Sequence, residues 1–266
     1  MIRYACLSLA AVGATIASPA LAQDEQPQPS RRVSVGVGAQ VLPSFPGGDD
    51  YEVGPLFTGF SRRDGEHIPF RTPDDGIGIS LVGRGKAIEF GPLVQFQGER
   101  DDEDVGAAVG DVDFTVEAGA FVNFNLGDTF RIRLEGGKGI GGHEALVGTV
   151  AADVGFRPNI DTLVTVGPRL RLNDDDYADA YFGITPAVAA VTKLPAYDPE
   201  GGLRAIGVTA GVTHQLTRSF GIYGYAGYDR LVGDAADSPI VRNFGSEDQF
   251  SAGIALFFTF GIGGDY

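Results

Sequence analysis

The chain has 266 residues, which is enough for one large domain or two ordinary ones. Its formal net charge of −15, from 20 basic and 35 acidic residues, argues against a nucleic-acid partner and against a cationic protein that binds membrane surfaces. Forty glycines, 18 phenylalanines and 9 tyrosines, with no tryptophan, favour β structure over helices.

Residues 1–22 have the pattern of a cleaved secretory signal peptide. Arg3 supplies the positive end, residues 5–17 the apolar core, and Ala20 and Ala22 the small residues of the cleavage site. Cys6 lies in the part expected to be removed, so we expect no disulfide or thiol chemistry in the mature chain. Residues 23–32 are polar and rich in proline, which predicts a flexible periplasmic tail before a folded domain at 33–266.

The first half of the folded domain contains strands of unequal strength. Residues 31–41 alternate cleanly and residues 86–97 alternate well, so both are predicted to be strands. Residues 51–60 and 77–82 are weaker, because Pro55 and several glycines interrupt them. Residues 67–71 are counted as a strand only because this keeps both termini on the same side of a sheet that closes on itself.

The clearest pattern is residues 111–135, where apolar and polar residues alternate on both sides of Gly127-Asp128-Thr129. Period two with a Gly-Asp break predicts a hairpin. Its register pairs Phe124 with Ile132, which places Asn125 beside Arg131. Phe121 is the exception, an aromatic residue on the polar face.

Five more strands are predicted at 144–156, 161–172, 203–216, 220–232 and 248–260. Tight turns alternate with long acidic connections at 98–110, 173–202 and 233–246. Thr185-Pro186 predicts the start of a short helix within 173–202, because Thr caps helices and Pro suits the first helical position. Tyr266, after the last strand, is an expected assembly signal.

The length of the apolar faces decides the fold class. About ten tilted residues cross a bilayer, and the hairpin alone is equally consistent with a soluble β-sandwich. With the export signal and the alternating turn lengths, the sequence predicts an all-β, antiparallel transmembrane β-barrel. We expect twelve strands, with ten as the alternative, short periplasmic turns and long outer loops.

Several strings resemble the MipA/OmpV family of outer-membrane proteins: YFGITPA at 181–187, LPAYD at 194–198, GDVD at 110–113, GPRL at 167–170 and LVGDAADSPIV at 231–241. The resemblance implies a barrel in the bacterial outer membrane, in contact with lipid and lipopolysaccharide. The name-giving member is described as a scaffold that links a lytic transglycosylase to a bifunctional murein synthase. The family has no agreed catalytic residues, so none is carried over.

The polar face of the barrel is the candidate site. It is predicted to carry a lumen network of Asp113, Glu117, Arg131, Arg133, Glu135, Arg169 and Arg171. One interpretation is a selective pore or solute site. The favoured one is an ion-paired filling, because buried charges must be paired.

No catalytic, cofactor or metal site is predicted. The three histidines do not combine with a nucleophile, and His143-Glu144 lacks the second histidine of a zinc motif. The acidic loops suit Ca²⁺ or Mg²⁺, although a solvated, repulsive surface is the favoured interpretation. We therefore expect a non-enzymatic scaffold, with a small-solute pore as the alternative. The short turns offer little of the roughly 800 Å² per partner that a stable interface buries.

Overall fold

The computed structural model describes residues 31–83 and 85–262. The predicted signal peptide with Ala20 and Ala22, most of the tail 23–32, and Tyr266 lie outside these described residues. Arg31 and Arg32 belong to the first strand, so the sheet begins before residue 33, the predicted start of the domain.

The described chain is mostly antiparallel strand with short helices in the long connections. In chain order the elements are β1 Arg31–Pro43, β2 Tyr51–Arg63, β3 Ile77–Gly78, β4 Ile88–Gln97, α1 Asp102–Val105, β5 Thr115–Leu126, β6 Phe130–Ile140, β7 Leu146–Asn159, β8 Thr162–Asn173, α2 Asp175–Phe182, α3 Pro186–Thr192, β9 Gly202–Gln215, β10 Phe220–Leu231, α4 Gly233–Asp237, α5 Pro239–Phe244 and β11 Asp248–Ile262.

The described strands form one sheet of eleven, in the order β2-β1-β11-β10-β9-β8-β7-β6-β5-β4-β3. Because β1 pairs with β11, the first and last described strands are neighbours in the wall, and the sheet curves into an incompletely closed barrel. The β5–β6 register is the predicted one, with Phe124 opposite Ile132 and Asn125 opposite Arg131. The all-β, antiparallel fold is confirmed.

The predicted strand count of twelve is not confirmed, and neither is the alternative of ten, because the described residues form eleven strands. Residues 67–71 are not in the sheet, and the weak strand 77–82 is reduced to Ile77–Gly78 with irregular hydrogen bonds continuing along β4. The chain does cross the barrel at this point, as the prediction required, since residues 64–76 run from one end of the barrel toward the other. They do so inside the lumen instead of in the wall.

The outer face of the wall is apolar from strand to strand. Across β1 and β11, for example, Val35 is opposite Phe258 and Val37 is opposite Leu256. Exposed large apolar side chains of the wall include Val53, Phe57, Phe90, Phe96, Phe124, Leu134, Phe156, Val166, Leu170, Val208, Ile254 and Phe260. A continuous apolar exterior around a polar lumen is the arrangement that lipid requires of a transmembrane barrel.

The two ends of the barrel differ. One, the short-turn end, carries the tight turns at 127–129, 160–161 and 216–219. The other, the long-loop end, carries all five helices among the described residues. α3 begins after Thr185, whose hydroxyl accepts from the Val188 N–H, and Pro186 is the first helical residue. α2 begins after Asp174, whose carboxylate accepts from the Tyr177 N–H.

Candidate functional site

Residues 64–76 form a lumen segment, which leaves the wall after β2 and rejoins it at Ile77. Pro69 and Pro73 lack the N–H that a wall strand donates. Asp74 and Asp75 add two charges that are costly to expose to lipid. Because Ile77 pairs with Val94, far from the short-turn end of β4, the segment climbs through much of the lumen.

Asp74 anchors the lumen segment to β8. Its carboxylate accepts from Arg169 twice, from Nε at 2.6 Å and from Nη2 at 2.9 Å. Arg171, two residues along the same face of β8, approaches the same carboxylate at 3.5 Å. A bidentate arginine–carboxylate pair fixes orientation as well as distance, so Asp74 defines the position of the segment relative to this strand.

Asp75 makes the equivalent contact with β6. It accepts from Arg131 Nη1 at 2.8 Å and from Arg131 Nη2 at 2.7 Å. Arg133 Nε lies 3.5 Å away. Within the segment, the Thr72 N–H and hydroxyl also donate to Asp75, at 3.0 and 2.5 Å. Adjacent carboxylates on the segment therefore grip two different strands of the wall.

Carboxylates of the wall complete the pairing. Asp153 lies opposite Arg131 on β7 and contacts both Arg131 Nη2, at 3.3 Å, and Arg169 Nη1, at 2.8 Å. Asp229 accepts from Arg171 Nε at 2.7 Å. Glu135 accepts from Arg133 and from the Gln95 amide. Each of the four wall arginines is thus held by at least one carboxylate.

We call these residues, together with Arg71, the charged layer: Arg71, Asp74, Asp75, Arg131, Arg133, Glu135, Asp153, Arg169, Arg171 and Asp229. By composition the layer has as many arginines as carboxylates, so its formal charge is zero. Two arginines also stack on lumen aromatics: Arg133 lies 4.1 Å from the Phe121 ring and Arg131 lies 5.0 Å from the Phe70 ring. Phe121, the exception in the sequence pattern, is therefore a platform for a lumen arginine.

Helices cover the lumen at the long-loop end. Tyr177, Tyr181 and Phe182 of α2 are fully buried against Leu231 and Val241. A second buried cluster, Phe45, Val105, Ile184 and Ile240, extends the cover across the neighbouring loops. Burial raises the pKa of both Tyr177 and Tyr181 above the ordinary value for tyrosine, so both phenols are neutral. The arrangement is a packed cap and not an open mouth.

Two residues of the predicted network lie elsewhere. Asp113 is exposed and precedes β5, so it is not a lumen residue. Glu117 lies under the cap, where its Oε1 is 3.1 Å from His143 Nε2. His143 Nδ1 accepts from the Ala145 N–H, so the Nε2 proton is the one donated to Glu117. Glu117 therefore fixes a buried histidine of an outer loop.

The other five predicted residues, Arg131, Arg133, Glu135, Arg169 and Arg171, all lie in the charged layer. Their main partners, Asp74 and Asp75, were not predicted, because these residues lie in the connection between the two weak wall strands predicted at 67–71 and 77–82. Asp153, which faces Arg131 directly across β6 and β7, was not predicted either. Extending the strand register from β6 to β7 would have found Asp153.

Below the charged layer, a cavity of about 1380 Å³ opens at the short-turn end. Its walls include the ends of β1 and β2, the start of the lumen segment, residues 78–80 and the turn at 127–129. The end of β1 meant here is its first residues, and the end of β2 its last. Arginines and aromatic side chains share its lining, among them Arg62, Arg157, Phe60 and Phe70. The barrel is therefore filled at its middle, covered at one end and open at the other.

Neither a metal centre nor a spanning helix is found in the part of the chain that the structure describes. Within residues 31–83 and 85–262, no three histidine, cysteine, aspartate or glutamate side chains are grouped closely enough to hold a metal ion. In the same ranges, none of the helices has the length and apolar character needed to cross a bilayer.

Comparison with protein families identifies the chain. The model of the family described as MltA-interacting protein MipA matches residues 35–260, from within β1 to within β11. The chain belongs to the MipA family. A search of curated protein sequences finds no match.

Solved structures similar to this MipA-family chain are bacterial surface proteins. The N-terminal β-barrel domain of Pseudomonas aeruginosa OprF is 16% identical, with 65% of this chain and 96% of that chain covered and a TM-score of 0.26. An outer-membrane channel from Pseudomonas putida F1 is 8% identical, with 91% and 100% covered and a TM-score of 0.43. Neisserial surface protein A is 9% identical, with 86% and 97% covered and a TM-score of 0.28. Family membership and the apolar exterior make this protein an outer-membrane β-barrel.

Proposed function

We propose that this protein is a non-enzymatic scaffold that holds murein-cleaving and murein-synthesising enzymes at the outer membrane. The observation that carries the proposal is the asymmetry of the barrel, with a neutralised charged layer, a packed cap and one open end. Short turns face the periplasm in bacterial barrels, so the open end is the one that periplasmic enzymes reach. The name of the matched family, MltA-interacting protein, supports a partner of this kind.

The histidine contacts support a non-enzymatic role. His143 is held between Glu117 and the Ala145 N–H, with no hydroxyl in position for activation. His214 Nδ1 lies 2.8 Å from the Thr162 hydroxyl, but that hydroxyl donates its proton to Asn159 Oδ1. His214 therefore donates to Thr162 and does not act as its base.

The partner surface is proposed to be the rim of the short-turn end together with residues 23–30. Exposed Arg218, in the turn between β9 and β10, is part of this rim. A stable interface needs about 800 Å² per partner, more than tight turns offer alone. We therefore propose that residues 23–30 contribute to the contact.

Co-purification from cross-linked membranes tests the scaffold. Arg218→Glu and a deletion of residues 23–30, which leaves β1 intact, should each reduce recovery of murein enzymes. Lys193→Glu, the same charge change on an exposed residue at the long-loop end, is the matched control and should leave recovery unchanged. Equal recovery from the wild type and from both rim variants would reject this surface.

A gated small-solute pore is the second candidate. The observation that favours it is the way the lumen segment is held, mainly by side-chain ion pairs to the wall and not by a strand ladder. Single-channel recording in planar bilayers separates the two proposals. Open channels in the wild type at moderate voltage would refute a closed lumen. Channels that open in Asp74→Asn/Asp75→Asn, and not in the exposed control Asp64→Asn, would favour a pore gated by the lumen segment.

A further inference from the structure

The wall of the barrel has a gap on one side. β2 pairs with β1, β3 pairs with β4, and irregular hydrogen bonds continue from residues 79–82 along β4. β2 and β3 are the two ends of the sheet. At the long-loop end the two sides approach, since a side chain added at Gly98 would begin 3.8 Å from Glu52 Oε1. Toward the short-turn end, no backbone pairing among the described residues joins the two edges, and Gly59 and Ile79 line the same cavity, so we place the gap there.

An open sheet edge in lipid is costly, because each unsatisfied backbone group costs several kcal/mol there. Features of this chain reduce that cost at β2. Pro55 removes one backbone donor from the strand. Arg71, from the lumen segment, donates to the Gly59 carbonyl oxygen at 2.6 Å. The edge strand is thus partly satisfied from inside the barrel, and a partner strand is not needed at that point.

The gap leads into the cavity of about 1380 Å³. The cavity is lined on one side of the gap by Gly59 and Phe60 of β2, and on the other by Gly78 and Ile79. Ile79 is also one of the exposed apolar residues of the outer face. A molecule dissolved in the membrane therefore has a route from lipid into the cavity that bypasses both the cap and the charged layer.

The lining defines the class of molecule. Apolar surface comes from Val33, Val35, Phe60, Ile68, Phe70 and Ile79, basic groups come from Arg31, Arg62, Arg63 and Arg157, and acidic groups come from Glu66, Glu89 and Asp128. The cavity, at about 1380 Å³, is larger than the about 300–1,000 Å³ of most small-molecule pockets. It therefore has room for a long flexible chain. We propose that the cavity binds, through the gap between β2 and residues 77–82, an acyl chain that ends in an anionic headgroup.

Arg157 is the residue assigned to the headgroup. Arg62 is paired with Asp161 at 2.6 Å, and Arg63 with Glu66 at 3.3 Å. Arg157 instead donates to backbone carbonyl oxygens, those of Ile68 and Asp128, and its guanidinium lies 5.4 Å from the Phe70 ring. These carbonyl oxygens orient the guanidinium. Among the described residues the Asp128 carboxylate acts on it only from beyond ion-pair distance, so the guanidinium can still pair with an anion.

Matched substitutions test the route and the headgroup separately. Gly59→Trp places a large side chain at the lipid side of the gap, where only Ser34 O, at 3.6 Å, is near a side chain added there. Val53→Trp, six residues away on the same outward face of β2, is the control because Val53 does not line the cavity. Arg157→Gln removes the charge. A heat-modifiable gel shift shows that each variant is folded before binding is measured.

The probes are oleate and oleyl alcohol added to detergent-purified protein, and vesicles that contain phosphatidylglycerol with a photoactivatable acyl chain. We expect wild type and Val53→Trp to bind oleate at least about tenfold more tightly than oleyl alcohol, the low end for a charge-assisted hydrogen bond. Arg157→Gln should remove that preference, and Gly59→Trp should reduce binding of both probes about tenfold. Cross-linking from vesicles at β2 and 77–82 would identify a membrane phospholipid as the source, and binding of oleate alone a free fatty acid.

Two results would overturn the proposal. One is labelling spread evenly around the outer face together with no saturable oleate binding. The other is oleate binding that neither Gly59→Trp nor Arg157→Gln changes. If Gly59→Trp does not fold, comparison of Arg157→Lys with Arg157→Gln decides, because the headgroup role requires that lysine retain most of the preference for the anion. The proposal does not depend on the scaffold role, which involves the rim and residues 23–30.

Discussion

Removing the charge of Asp75 should destabilise the barrel more than any exposed charge change. Asp75→Asn keeps the size of the side chain but ends the bidentate pair with Arg131, whose distances are 2.8 and 2.7 Å. Breaking a buried ion pair by removing one partner costs about 3–5 kcal/mol. Because Asp153 still contacts Arg131 at 3.3 Å, we expect the lower end, about 3 kcal/mol.

Urea unfolding of the protein in detergent micelles or vesicles measures this effect. With a slope of about 1–3 kcal/mol per molar urea, a loss of 3 kcal/mol lowers the midpoint by about 1 M or more. The control is Asp64→Asn, since Asp64 is 64% exposed and lies 3.7 Å from Arg32. An exposed pair of that kind contributes about 0–1 kcal/mol, so the midpoint of the control should hardly move.

A double-mutant cycle separates the ion pair from general disturbance. Asp75→Asn and Arg131→Gln should be less destabilising together than the sum of the two single changes, by about 0.5–3 kcal/mol. If Asp75→Asn lies within about 0.5 kcal/mol of the wild type, or if the two changes are simply additive, the lumen segment is not held by this pair and the argument for a closed, ion-paired lumen fails.

Two further predictions compare matched pairs of substitutions, both read out by the same unfolding measurement. Tyr181→Phe should maintain stability or raise it by up to about 1 kcal/mol, because within the described residues the buried Tyr181 hydroxyl has no hydrogen-bond partner. Tyr197→Phe should lower stability by about 1 kcal/mol, because it removes the hydrogen bond to the Asp234 carbonyl oxygen. The opposite order of the two stabilities would contradict the prediction. Gly167→Ala should cost about 1–3 kcal/mol, because its Cβ would lie 2.1 Å from the Ala152 backbone oxygen. Gly54→Ala, with open space around the added Cβ, should be neutral. Equal effects of the two substitutions would show that β7 and β8 can move apart at little cost.

The wall could be predicted from sequence because lipid imposes the same demands on every strand. Each strand must be long enough to cross, present apolar side chains outward and pair its backbone with its neighbours. These demands appear locally as period-two alternation, which is why even the β5–β6 register, with Phe124 opposite Ile132, could be read from residues 111–135. The helix α2 was missed, since its acidic start at Asp174 looks like an ordinary loop.

The lumen segment could not be predicted from local sequence. Its position depends on contacts with strands far along the chain, since Asp75 and Arg131 are separated by 56 residues and Asp74 and Arg169 by 95. Residues 67–71 form a short stretch that contains Pro69 and ends two residues before Pro73, so alternation alone cannot distinguish a weak wall strand from a segment that leaves the wall. An even number of crossings, needed to keep both termini on one side, required the chain to cross here. That requirement does not distinguish a crossing in the wall from one through the lumen.

Charge balance contains the information that alternation lacks. The lumen faces of β6 and β8 carry Arg131, Arg133, Arg169 and Arg171, and four arginines in a narrow lumen demand carboxylates nearby. Of the acidic residues predicted for that face, Glu135 alone lies in the charged layer, since Asp113 is exposed and Glu117 binds His143. The missing negative charge must come from elsewhere in the chain. Asp74 and Asp75, in a proline-containing stretch too weak for the wall, supply two of the missing charges, and Asp153 and Asp229 of the wall supply the others. The charges of Asp74 and Asp75 also explain why the lumen segment is not a strand of the wall.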